Sequence, residues 1–314
     1  MRGFESLQGR SELSGLQGLQ LSVDSVFEIR WHGRGGQGAV TSAEIVALAA
    51  ISEGKYAQAF PSFGPERRGA PVLAFNRVST TGHIRVRAPI LSPDVVVVLD
   101  PGLPYVTDVT SGLKADGVLV VNTSKRPEEV EERLGGSWRL AVVDATAIAR
   151  QVLGVPIVNT TMLGALIKAT ALVRLESLIE PIEERFGARA KSNIEASRIA
   201  FEATKIVEPK AGFRPVPPVF KEEKLPSWRE LLAGCVVVEP GNAKSYRTGD
   251  WRSDRPIWNR DRCIKCGICF LFCPEGCVRQ DRDGYFEADL YYCKGCGICA
   301  CECWTQAITM VEES

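Results

Sequence analysis

Ten of the chain's eleven cysteines lie between positions 263 and 303. From Cys263 the chain reads CIKCGICFLFCP, and from Cys293 it reads CKGCGICACECW. Both are C-x-x-C-x-x-C-x-x-x-C runs, at 263/266/269/273 and 293/296/299/303. The two-residue gaps bring three thiols of each run to one side of a tight loop. Gly267 and Gly297 suit backbone that passes close to a bulky group, because no Cβ intrudes. Pro274 follows the first run and Trp304 the second, a change of packing that removes no thiol.

This spacing is that of the bacterial runs that hold two [4Fe–4S] clusters, in which the fourth Cys ligates the other cluster. It assigns Cys263, Cys266, Cys269 and Cys303 to one cluster. Cys273, Cys293, Cys296 and Cys299 take the second. Zinc modules use paired C-x-x-C units, and four ligands per metal do not call for two such tandem runs. A disulfide framework suits the spacing less still. All-thiolate ligation with no open position implies electron transfer rather than chemistry on a substrate. Cys277 and Cys301 lie beside the runs without fitting their spacing, and Cys235 stands apart. All three are expected to be small buried residues.

Length suggests about two domains. Lys and Arg balance Asp and Glu at 38 each, so global charge argues for neither nucleic acid nor membrane. No apolar run reaches the roughly 18 residues of a membrane span. Residues 1–25 show no basic start followed by an apolar core, so no secretory signal is expected. Clustered cysteines and low-potential clusters point to a reducing, anaerobic cytoplasm.

The expected organisation is a polar arm at 1–25, an α/β domain at 26–207, an extended linker at 208–246 and a ferredoxin domain at 247–314. VFEIRW reads as a strand, HGRGGQG as a loop and AVTSAEIVALAAISEG as a helix, the start of a doubly wound α/β domain. YAQAF, PVLAFNRV and HIRVRA read as strands, the last two as a hairpin. SPDVVVVLDP reads as a buried parallel strand. A helix near 104–114, strands at 117–122 and 139–144, and helices near 127–134 and at TAIARQVLG continue the alternation. The pattern from 157 to 207 is helical, interrupted at Pro181. Asn159, Thr160 and Thr161 read as a helix start. Five prolines in 208–228 exclude helix or central strand there. A mixed-sign stretch with two tryptophans, TGDWRSDRPIWNRDR, leads into the cysteine runs and suits docking onto a partner. The ferredoxin part is acidic, with four Lys and Arg against eight Asp and Glu from 263 onward. It is an internal repeat with DRDGYFEADL as a hairpin.

Two loops are candidates for an anion. Gly33, Gly35 and Gly38 match G-x-G-x-x-G, with Gly36 beside them, a pattern that turns backbone N–H groups toward an anion. The next strand offers no acidic residue for a ribose, and no G-K-[ST] follows, which argues against a dinucleotide or a P-loop. A plain tight turn and a subunit-contact loop remain open alternatives. FPSFGPERRGAP, 60–71, carries Arg67 and Arg68, whose forks suit phosphate or carboxylate. Asp100 and Asp144 end strands, where they cap loops or touch ligands.

GRGGQGAVTSAEIVALAA followed by SFGPERRGAPV resembles the gamma subunit of 2-oxoacid:ferredoxin oxidoreductases. TGDWRSDRPIWNRDRCIKCGICFLFCPEG resembles their delta subunit. The likeness covers nearly all of the chain from Val26 on, apart from the linker. The fused gamma-delta layout is similar to that of the oxalate oxidoreductase branch. The resemblance implies an electron-transfer and assembly subunit without a catalytic centre of its own. Thiamine pyrophosphate and a further [4Fe–4S] cluster are implied on alpha and beta partner subunits. A soluble ferredoxin is the implied acceptor and a dimer of heterotrimers the implied assembly. Oxalate, oxidised to carbon dioxide without coenzyme A, is the expected substrate; the alternative is pyruvate or another 2-oxoacid with coenzyme A. In pyruvate-type members the Gly33–Gly38 loop and Arg67–Arg68 are then candidates for the coenzyme A neighbourhood. Two readings compete from other classes. One is a self-contained flavin- or nicotinamide-dependent ferredoxin reductase, the other a nucleic-acid-binding iron–sulfur protein.

Overall fold

The structure is a computed structural model that describes residues 26–62, 69–209, 227–234, 236 and 238–313. The N-terminal arm, Arg67 and Arg68, the proline-rich part of the linker and Cys235 lie outside the described residues.

Four consecutive valines set the architecture. They form β4 (Val95–Val98), and none of them has solvent exposure. Side chains alternate across a strand, so a strand apolar on both faces must be covered on both. Val95 and Val97 enter one core, Val96 and Val98 the other. Full burial of such side chains contributes on the order of 1.5–3 kcal/mol each.

Around this strand the chain builds an α/β domain. In order come β1 (Phe27–Arg34), α1 (Ala39–Ser52), β2 (Tyr56–Ser62), β3 (Pro71–Ser79) and β4, then β5 (Val118–Asn122), α2 (Pro127–Leu134) and β6 (Arg139–Val143). There follow α3 (Ala145–Leu153), α4 (Asn159–Thr170), α5 (Ile179–Phe186), α6 (Ala190–Ala203) and β7 (Lys205–Val207). The sheet order is β2-β3-β1-β4-β5-β6-β7. Strands β1, β4, β5 and β6 are parallel, whereas β2, β3 and β7 run antiparallel to their neighbours. Helices α1, α3, α4, α5 and α6 supply the larger core and α2 the smaller one.

Several local expectations change. HIRVRA is not a strand, because both edges of β3 are already paired with β1 and β2. It offers carbonyls instead: Arg77 donates to Val86 O at 3.0 Å and Ala88 O at 2.9 Å. The stretch near 104–114 holds only a 3₁₀ turn at Leu103–Tyr105. Beyond it, Asp108 accepts from Thr110 N and Oγ1, a local bond that competes with helix. Lys205–Val207 leaves the helical pattern to pair with β6. Pro181 does not interrupt α5, since it sits in the first turn, where its missing N–H costs nothing. Asn159, Thr160 and Thr161 are buried; the N-cap residue Val158 makes no side-chain cap, but Asn159 Oδ1 accepts from Thr160 N at 2.9 Å in the first turn. Asp144 does cap α3, accepting from Ala147 N at 2.8 Å.

Glu53 ties the end of α1 to the turn before α5. It accepts from Arg174 N at 2.7 Å, Ser177 Oγ at 2.6 Å and Lys55 Nζ at 2.9 Å. Burial pushes this carboxyl up, but the bonds from Ser177, Arg174 and Lys55 outweigh it and hold it at about 2. A depressed carboxylate stabilises the fold fully above its unfolded value and loses that contribution as pH falls through the folded one. In chemical unfolding, Glu53→Gln is therefore expected to be less stable than the parent at pH 6. The gap should narrow below roughly pH 4.5 and close near pH 2.

The cysteine-rich part forms a second unit. It comprises β8 (Asp254–Trp258), α7 (Ile268–Leu271), β9 (Val278–Gln280), β10 (Phe286–Ala288), α8 (Ile298–Cys301) and β11 (Ile308–Glu312). Strand β8 pairs antiparallel with β11, and β9 with β10. A shift of 30 residues superimposes one half of the sequence on the other, Cys263 on Cys293 through Val278 on Ile308.

Candidate metal centre

Each cysteine run ends its loop in a one-turn helix. Gly267 and Gly297 cap α7 and α8 with φ of 76° and 77°, a left-handed conformation in which a side chain would be strained. The turn swings Cys269 and Cys299 back under their loops. A cavity opens beneath the second run, lined by Cys293, Cys296 and Cys299. Cys273, from the first run, lines it too; Cys263, Cys266, Cys269 and Cys303 do not. This is the second set expected from the spacing, including its crossed member.

The thiols of that cavity suit iron. Burial and the neighbouring Cys293 and Cys296 push Cys299 up to about 12, a repulsion that cationic iron would relieve. Cys293 is held down at about 6, first by a hydrogen bond from Cys277 and then, against burial, by Gly295 N and Arg252. Burial pushes Cys273 up, but backbone N–H groups of Cys277, Glu275 and Val278 hold it below its ordinary value. Amide donors around a sulfur favour the thiolate, the form that ligates metal. Of the other set, Cys263 and Cys266 lie near enough to Cys269 to raise it, after burial. The indole N–H of Trp258 is buried without an ordinary hydrogen-bond partner and faces the Cys269 sulfur. Cys303 accepts from Ala307 N at 3.3 Å. Cys269 also adds to the field at Cys299, so the two sets of sulfurs adjoin. A [4Fe–4S] cluster held by these sulfurs would supply one-electron transfer; Cys269 and Cys293 are buried, whereas Cys266 and Cys296 are exposed.

Of the three remaining cysteines, Cys277 is buried and Cys301 is exposed rather than buried. The four-residue helix α8 cannot turn Cys301 inward while aiming Cys299 at the cavity. Cys277 touches the cavity, a role that a filler residue does not need.

The glycine loop has a different neighbour from the one its pattern suggests. The strand after α1 does not lie beside β1; antiparallel β3 occupies that place, so no dinucleotide-type βαβ unit forms. Gly35 spends its N–H on Ala70 O and its carbonyl on Gly69 N. Gly33 is buried and Gly36 exposed. Arg34 and Asp100 meet at 3.1 Å, with their side chains 3% and 0% exposed. Arg34 donates further to Gly69 O at 3.2 Å and to Asp250 O at 2.7 Å. Asp100 accepts from Gly102 N at 3.0 Å, Gln37 Nε2 at 2.5 Å and Ser253 Oγ at 2.7 Å. The mixed-sign stretch 248–253 therefore docks onto the chain's own α/β domain. Its other side holds the cysteine unit: Arg252 forks onto Glu313 at 2.6 and 2.9 Å, and Gly249 N donates to Tyr291 O. Arg34, Gln37 and Ser253 were invisible to motif reading. The one signal was an acid at a strand end facing an arginine-bearing glycine loop.

Gly38 is a packing glycine. Its φ is 81°, and an added Cβ would sit 2.7 Å from Asn159 Nδ2. Gly36, at φ 98°, faces open space. Gly36→Ala is expected to cost about 1 kcal/mol of backbone strain, and Gly38→Ala a further 1–3 kcal/mol for the clash with α4. Thermal unfolding of the two variants measures the difference.

With this geometry in hand, residues 28–203 match the family described as pyruvate ferredoxin/flavodoxin oxidoreductase, and residues 256–279 a 4Fe-4S binding domain. The chain belongs to the pyruvate ferredoxin/flavodoxin oxidoreductase family. It is 55% identical over 185 residues to the pyruvate/ketoisovalerate oxidoreductases common subunit gamma of Pyrococcus furiosus, covering 58% of this chain and 100% of that one. It is 46% identical over 187 residues to pyruvate synthase subunit PorC of Thermotoga maritima, covering 58% and 96%. The crystal structure of pyruvate oxidoreductase subunit PORC from Thermotoga maritima superimposes with a TM-score of 0.52 at 43% identity, over 59% of this chain and 100% of that one. The chain is thus an electron-transfer subunit of a 2-oxoacid:ferredoxin oxidoreductase, with the gamma-type domain and the 4Fe-4S domain fused. Among the described residues no helix is long and apolar enough to cross a membrane.

Proposed function

We propose that this subunit carries electrons from a thiamine pyrophosphate centre on alpha and beta partner subunits, through two [4Fe–4S] clusters of its own, to a soluble ferredoxin. The observation that carries the reading is the cavity in which Cys273 joins Cys293, Cys296 and Cys299. The first cluster takes Cys263, Cys266, Cys269 and Cys303. Docking of the cysteine unit on the α/β domain through Arg34, Asp100 and Ser253 makes the chain one rigid relay rather than a tethered carrier.

The substrate is a 2-oxoacid of the pyruvate or branched-chain kind. Relatives named for pyruvate and ketoisovalerate support it over oxalate, for which fusion of the two domains is the sole argument. Such substrates end as acyl-coenzyme A. The Gly33–Gly38 loop and Arg67–Arg68 are the candidate neighbourhood of that anion, with Gly36 its exposed point. Purification with partner chains, then assays of pyruvate, ketoisovalerate and oxalate with and without coenzyme A, tests the reading. Coenzyme A-dependent reduction of ferredoxin by a 2-oxoacid is expected. Activity with oxalate alone, or a chain that purifies alone with bound flavin, would overturn it.

A further inference from the structure

The two halves of the cysteine unit are the same fold, yet they are not given the same donors. The 30-residue shift that places Cys273 on Cys303 also places Cys277 on Ala307 and Trp258 on Ala288. Each cysteine set therefore has one polar donor beside it where the other set has a methyl group. The first set has the Trp258 N–H, which faces Cys269. The second has the thiol of Cys277. That thiol is 3% exposed and lies 3.6 Å from Cys273 Sγ. It lines the cavity together with Cys273 and Cys293. It thus sits beside the sulfur of Cys273, in a cavity lined by cysteines of both runs.

A thiol in that position offers its S–H to the sulfurs, and S–H is a weak donor. Hydrogen bonds to cluster sulfurs are among the levers that set a cluster's potential. A donor stabilises the more electron-rich state, so it raises the potential. We propose that Cys277 is a positioning residue for the second cluster, its buried thiol donating to Cys273 in the cavity that both line and holding that cluster at a higher potential than alanine would. The inference rests on the two-cluster reading above. It makes the relay asymmetric, because the first set has the methyl group of Ala307 at the position where the second set has the Cys277 thiol.

The alanine at position 307 shows that this fold position accepts a methyl group, so Cys277→Ala is a mild change. Full-length chain, parent and variants, would be analysed for iron and titrated electrochemically under EPR. The parent should hold two clusters. Cys277→Ala should keep its irons while one of the two potentials moves down and the other stays. Cys277→Ser, which keeps an O–H donor, should restore most of the shift. Ala307→Cys, which places a thiol beside Cys303, should move the other potential up. Should the alanine variant lose iron, the Ala307→Cys arm decides alone. Two clusters with both potentials unmoved in Cys277→Ala, or unmoved in Ala307→Cys, would overturn the inference. A parent chain with a single cluster overturns the two-cluster reading and this inference together.

Discussion

Cys303→Ser is expected to remove the first cluster and spare the second, although Cys303 belongs to the second run. Iron should fall from about eight per chain to about four. The sharper test is a pair of double variants, because residues that serve one unit combine non-additively while independent ones add. Cys263→Ser with Cys303→Ser should be no worse than either alone, since both strip the same cluster. Cys299→Ser with Cys303→Ser should leave almost no iron. Straight ligation, run by run, predicts the reverse pattern. The structural basis is the cavity beneath the second run, which takes Cys273 from the other run and excludes Cys303. Iron assay and EPR of the reduced chains read the result directly.

The grouping of Cys273 with Cys293, Cys296 and Cys299 around one cavity could be anticipated, because the spacing within each short run is a local property that sequence encodes openly. The valine run of β4 was legible for a related reason, since four β-branched apolar residues fit only a doubly covered strand. Pairings across long separations were not. Antiparallel β3 displaces the expected neighbour of β1, and the alternating pattern of HIRVRA has no free edge to join. The seam between the two units depends on Arg34 meeting Asp250 O and on Asp100 meeting Ser253, partners 216 and 153 residues apart. Each side alone reads as an ordinary polar loop. Cys277 lies between these cases. Spacing set it aside as a non-ligand, but alignment of the two halves shows it replacing Ala307 beside a ligating cysteine.

The seam carries the other large effect. Asp100→Ala is expected to destabilise the chain by about 3–5 kcal/mol, the usual cost of stranding one member of a buried ion pair. Domains have only about 5–15 kcal/mol in all, so such a loss endangers the fold. The geometry sharpens the argument. Arg34 Nε lies 3.1 Å from the Asp100 carboxylate but finds no directed hydrogen bond there, so the attraction is mainly charge on charge. Without Asp100, Arg34 keeps the carbonyls of Gly69 and Asp250, which are dipoles and cannot neutralise it. Gln37, Ser253 and the Gly102 amide lose their acceptor at the same time. Ser253→Ala, by contrast, removes one neutral donor and should cost roughly 1 kcal/mol. Removing both charges, as in Arg34→Met with Asp100→Leu, should cost less than Asp100→Ala alone, because no buried charge is left unpaired. Chemical unfolding ranks the three. A ranking in which the double variant is the least stable would mean that the pair's attraction, rather than relief of a stranded charge, holds the cysteine unit in place.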